Sequence, residues 1–83
     1  MSTAAALDLS AHAATVLQER GIEMDWVRRA IAEPDQTESR DDGSEHFLKA
    51  IPERGGRVLR VVANQVTRRI VTVFFDRRMK GSE

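Results

Sequence analysis

The chain has 83 residues, 41% apolar and 31% charged, with no Cys, two His, and 13 Lys/Arg balancing 13 Asp/Glu. That length makes one domain with a modest core, the lack of Cys excludes disulfides, thiol nucleophiles and thiolate metal sites, and two His are too few for an imidazole metal cluster. The neutral total hides a dipole, because residues 47–83 hold nine Lys/Arg against three acids while residues 1–46 hold four Arg against ten acids; a polyanion or an acidic partner is therefore expected at the C-terminal half. Apolar runs of only a few residues predict no membrane span, and the Ala4–Ala6 stretch lacks the flanks and long apolar centre of a signal peptide.

Residues 1–9 show no sustained period and read as a flexible leader. Ser10 is a suitable N-cap for a helix to Arg20, with Ala13, Val16 and Leu17 as its buried stripe. Gly21 closes that helix, and Ile22 is placed to fold back over its end. A second helix fits Met24–Ala32, with Trp26, Val27, Ala30 and Ile31 on one side, and Pro34 stops it. The period then changes from helical to alternating. Residues 36–40 make a polar edge strand, Asp41-Asp42-Gly43 a tight hairpin turn, and residues 45–51 the next strand. Pro52–Gly56 is a second turn. Residues 57–64 and 69–76 are strands rich in β-branched and aromatic residues. The Asn64–Arg68 connection has no Gly and matches no standard turn, and residues 77–83 read as a basic tail. The expected fold is α+β over residues 10–76, with two N-terminal helices packed on one face of a four-stranded antiparallel sheet.

Alternation assigns Leu59, Val61, Val71, Val73 and Phe75 to the face under the helices, and Val58, Arg60, Val62, Ile70, Thr72 and Phe74 to the other. With helices on one side only, that second face is left open, basic and half apolar, and it is the predicted site. Exposed Val58, Val62, Ile70 and Phe74 would form a sticky patch to be covered by a partner or by a second copy in a homodimer.

His12-Ala13, Glu19-Arg20-Gly21-Ile22, Trp26-Val27, Pro34-Asp35, the run Arg57–Val62 and the run Val71–Arg78 together resemble a family of small bacterial proteins of uncharacterised function. That family is similar to the RelE/ParE superfamily of toxins, and the resemblance covers about residues 10–78. It implies two helices on an antiparallel sheet, while the expectation of a cytoplasmic protein comes from the missing membrane span and signal peptide. It also implies action on RNA or the ribosome through basic and aromatic residues of the open face, and silencing by an acidic antitoxin-like peptide.

Arg60 is the first site candidate, since a guanidinium on an apolar face can clamp a phosphate and stabilise the charge that develops during RNA scission; the alternative is an Arg whose stem covers apolar surface. Arg57 is its neighbour in sequence. Lys49 would stand beside Arg60 if their strands pair in the right register, with Phe74 or Phe47 as a stacking surface. Arg77, Arg78 and Lys80 offer phosphate contacts or a docking strip for an acidic segment, or simply a solubilising end. His12 is the candidate general acid or base, against an exposed His near a helix start. His46, beside a hairpin turn, reads as a solvated polar residue. Asp41, Asp42 and Glu45 lack the spacing of a calcium loop, Gly55-Gly56 has no helix after it to cradle a phosphate, and no motif implies a cofactor. Two functions stay open: a toxin-like protein acting on RNA or translation through Arg57, Arg60 and Lys49, and a non-catalytic protein-binding module or degenerate relative.

Overall fold

The structure, a computed structural model, describes residues 8–80, with side chains described through Asp76. In chain order its elements are β1 (Asp8–Leu9), α1 (Ala11–Arg20), α2 (Met24–Ala32), β2 (Gln36–Ser39), β3 (Ser44–Ile51), a 3-10 turn (Pro52–Arg54), β4 (Arg57–Asn64) and β5 (Arg69–Lys80).

Two local devices bound α1. Ser10 Oγ accepts a hydrogen bond from the Ala13 N–H at 3.0 Å. At the other end Gly21 takes φ 65°, a left-handed conformation that suits a residue without Cβ. The Ile22 N–H then reaches back to the Leu17 carbonyl at 2.9 Å, a Schellman closure that brings Ile22 into the same core cluster as Leu17. This is the fold-back expected from Gly21-Ile22. α2 buries Trp26, Val27 and Ala30.

The sheet order is β1-β5-β4-β3-β2. Strands β2 to β5 form an antiparallel meander, as alternation predicts, but β1 lies parallel to β5 at the edge. The expected four-stranded antiparallel sheet is therefore a five-stranded mixed one. Two residues carry no period to read; β1 forms because the Asp8 N–H donates to the Arg68 carbonyl at 3.1 Å and the Ser10 N–H to the Ile70 carbonyl at 3.0 Å. Residues 8 and 9 thus belong to the sheet rather than to a leader. At the other end β5 continues past Asp76 and pairs Lys80 with Arg57, so the backbone of Arg77 and Arg78 is strand rather than tail.

Both helices lie on one face, α1 against β5 and α2 over β4 and β3. The core between the layers joins Leu17, Trp26 and Val27 to Leu59, Val61, Ile70 and Val73. Ile70 and Val71 reverse the expected alternation. Val62 pairs with Thr72 but Ala63 pairs with Ile70, so Val71 is an extra residue in β5. Such a bulge breaks the alternation at Val71, so that Ile70 before it and Val73 after it fall on the same face. Ile70 is consequently fully buried among the core residues, while Val71 is 43% exposed. The sticky patch does not form as expected either: Ile70 is on the helix side, Val58 is buried, and Val62 and Phe74 are half-buried.

The turns follow from their residues. Asp41-Asp42 continue from Arg40 into Gly43 at φ 87°, with the Gly43 N–H on the Arg40 carbonyl at 3.1 Å, a tight turn closed by a glycine bulge. The turn after β4 is built around Asn64, whose Oδ1 accepts from the Val66 and Thr67 N–H groups at 2.8 and 3.0 Å. Arg68 takes the left-handed position, φ 59°. That side-chain bonding explains a glycine-free turn.

Candidate functional site

Cross-strand register decides which side chains meet on the open face. One row runs Gln36, Leu48, Arg60, Phe74, and the next runs Glu38, His46, Val62, Thr72. Asp76 pairs with Val58 one row further along. Leu48 and Val58 are buried, so the face has an apolar floor around Arg60.

Among the described residues Arg60 is the one buried charged side chain, 8% exposed. Its Nε and Nη2 both reach Asp76 Oδ2, at 2.9 and 2.8 Å. Its Nη1 donates to His46 Nδ1 at 2.8 Å and lies 3.4 Å from Glu38 Oε1. Arg40 Nη2 also reaches Glu38 Oε1, at 2.9 Å. On its far side His46 Nε2 lies 3.4 Å from Ser44 Oγ, and Ser44 Oγ lies 2.6 Å from Asp42 Oδ1. Since arginine only donates, His46 Nδ1 is the acceptor and the ring proton sits on Nε2.

The electrostatics agree with that arrangement. Burial, then the charges of Arg40 and Arg60, push His46 below the ordinary imidazole value, against the opposing pull of Glu38 and Asp42. Hydrogen bonding from Arg40, with a lesser contribution from Arg60, keeps the Glu38 carboxyl low. Asp42 is lowered by the Ser44 hydroxyl and N–H. At neutral pH the site therefore holds a guanidinium, ionised carboxylates and a neutral imidazole. Among the described residues no His, Cys, Asp and Glu side chains are grouped so as to hold a metal ion.

Of the residues picked from sequence, Arg60 and Phe74 are brought together here, adjacent in register. Lys49 is not, which corrects the expectation that it stands beside Arg60. It pairs with Leu59 on the helix side, and its Nζ lies 3.5 Å from Asp35 Oδ1. Phe47 also faces the helices and packs on the core. Arg57 shares the parity of Leu59, not of Arg60, and is exposed at the start of β4. His12 is exposed on α1, across the sheet from Arg60. The side chains of Arg77 and Arg78 lie outside the described residues.

His46, Glu38 and Asp76 were not among the residues picked from sequence. A signal for the first two was present. A three-residue turn closed by a glycine bulge sets Ser39 opposite Glu45, and hence Glu38 opposite His46. Counting outward from Asp41-Asp42-Gly43 would have paired them.

A second cluster lies on the helix side. Arg29 reaches Glu53 at 2.6 Å and Asp25 at 3.0 Å, and Arg54 lies 5.9 and 5.2 Å from the ring centres of Trp26 and Phe75. These contacts fasten the Pro52–Arg54 turn to α2.

Two helices on a mixed sheet, with a polar cluster on the bare face, define a small α+β protein whose only candidate chemistry among the described residues centres on Arg60. Residues 9–75 match the family described as a domain of unknown function (DUF4258), and the chain belongs to that family. No curated protein and no solved structure matches it.

Proposed function

We propose that the protein is a toxin-like ribonuclease, related to RelE/ParE-type proteins, that cuts RNA at the cluster of Glu38, His46 and Arg60. The observation that carries this is the contact of one guanidinium with both an imidazole, at 2.8 Å, and a carboxylate, at 3.4 Å, on the face the helices leave bare. Phosphodiester transesterification calls for a base, an acid and a cation on the phosphoryl oxygens, and those three group types can fill the roles. A carboxylate, Glu38, takes the proton from the ribose 2′-hydroxyl as its oxygen attacks phosphorus. Arg60 stabilises the charge on the phosphoryl oxygens. The bond from phosphorus to the 5′-oxygen breaks, and His46, in the minor fraction of molecules whose ring carries a second proton at neutral pH, supplies that proton to the leaving oxygen. The products are a 2′,3′-cyclic phosphate and a 5′-hydroxyl. Phe74, beside Arg60, offers a surface on which a base can stack.

The same geometry also favours a second reading. Arg60 is satisfied by its own neighbours, and no buried side-chain polar atom among the described residues lacks a partner. A network so complete suits a non-catalytic module that docks a protein on this face.

Inducible expression in a bacterial culture separates the two. The ribonuclease reading predicts growth arrest by the wild type and relief by Glu38→Gln and by His46→Gln, with soluble protein confirmed for each. Unimpaired growth, or arrest that both variants sustain fully, contradicts it and favours the docking module.

A further inference from the structure

An arginine never accepts a hydrogen bond, so the 2.8 Å contact from Arg60 Nη1 to His46 Nδ1 exists only while Nδ1 keeps its lone pair. The proton order then runs on from Nε2–H to Ser44 Oγ and from the Ser44 hydroxyl to Asp42. A second proton on the ring would set N–H against N–H and cation against cation, and the contact must open.

The groups facing His46 determine how the cluster responds to that proton. From β2, Glu38 stands directly opposite it in register. The β2–β3 turn contributes Arg40, held on Glu38, and Asp42, held on Ser44. β4 contributes Arg60, and behind it Asp76 of β5 grips the other edge of the guanidinium at 2.8 and 2.9 Å. Protonation of His46 therefore does not expel Arg60. The guanidinium keeps its anchor on Asp76 and loses one acceptor, while Glu38 gains an imidazolium within its row.

We propose that His46 is a proton-operated latch on Arg60: the neutral ring accepts one N–H of Nη1, and the charged ring turns to Glu38 and gives up that one N–H to an oxyanion such as a phosphodiester, while Arg60 keeps its other contacts. The latch concerns the site proposed above and rests on that reading only in naming the phosphodiester. Burial and the cations Arg40 and Arg60 favour the neutral ring, so the latch is shut at neutral pH. Linkage makes its opening reciprocal, since the proton tightens the anion and the anion raises the ring's affinity for the proton. The proton that opens the latch is also the one His46 would give to a leaving oxygen.

Sulfate serves as the probe, because it stays fully ionised across the range in which His46 titrates. Ring-nitrogen NMR shifts at about pH 7.5 are expected to show His46 neutral with its proton on Nε2. Sulfate titrations followed by amide shifts around Arg60 are expected to give several-fold tighter binding at about pH 5.5 than at about pH 7.5. Saturating sulfate should raise the His46 midpoint. In His46→Gln, whose amide oxygen caps Nη1 without titrating, the pH dependence should vanish, and the amide spectrum verifies its fold. A ring protonated on Nδ1, sulfate that binds at neither pH or equally at both, or a pH dependence that survives in His46→Gln would overturn the latch. A working latch on a protein inert toward RNA removes the ribonuclease reading alone, and RNA cleavage without the latch removes the latch alone.

Discussion

Arg60 is stable in a largely buried position because Asp76 takes two of its N–H groups and the neutral His46 takes a third. Buried charges cost little only while paired. Arg60→Ala leaves Asp76, with 12% side-chain exposure, without that partner; we expect a loss of about 3–5 kcal/mol in urea unfolding. Arg60→Ala is for that reason a poor test of function, which is better carried by Glu38→Gln and His46→Gln. His46 gives a stability term with the sign of a depressed base. Its stabilising contribution is full above the ordinary 6.5 and is lost as pH falls through the lower folded value. Glu53 behaves similarly at more acid pH, because its hydrogen bond from Arg29 draws it from 4.5 down to about 2. The melting-temperature gap between wild type and Glu53→Gln should accordingly be full above 4.5 and close toward about 2. A gap independent of pH would show that the Arg29 contact does not form in solution.

The bulge in β5 is the element-scale feature with the largest consequence, since it exchanges the roles of Ile70 and Val71. Ile70→Ala should cost about 2–5 kcal/mol as a core truncation, and Val71→Thr, at an exposed strand position, about 0.5 kcal/mol or less. Denaturant titration of both variants checks this, and the reverse order would restore unbroken alternation. Elements with many periodic residues were legible in the sequence: α2 over Met24–Ala32 and β4 over Arg57–Asn64 fall on their expected bounds. β1 was not, because two residues have no period and their strand exists only through bonds to residues 68 and 70. The site was legible to the extent that one strand decides it. Alternation within β4 and β5 puts Arg60 and Phe74 on the open face. Lys49 went to the wrong face because its neighbour depends on the Pro52–Gly56 turn, which sets Ile51 opposite Arg57 and so Lys49 opposite Leu59. Glu38 and His46 depend in the same way on the turn between β2 and β3.

Across the molecule the two layers divide the work. The helices bury one sheet face and leave the other to carry a guanidinium, carboxylates and an imidazole on a buried apolar floor. The cationic excess of residues 47–83 is partly consumed inside the fold, since Lys49 pairs with Asp35 and Arg54 lies on aromatic rings. Overall basicity is thus a weaker guide to the site than the local cluster. No described helix is long and apolar enough to cross a membrane. Whether the Arg60 cluster cuts RNA is decided by incubating purified protein with a defined RNA in excess chelator and analysing the fragment ends. Fragments ending in 2′,3′-cyclic phosphate and 5′-hydroxyl are expected, produced by the wild type and at least about a hundredfold more slowly by folded His46→Gln and Glu38→Gln. Intact RNA with folded wild-type protein, or cleavage at equal rate by both variants, would contradict the ribonuclease reading.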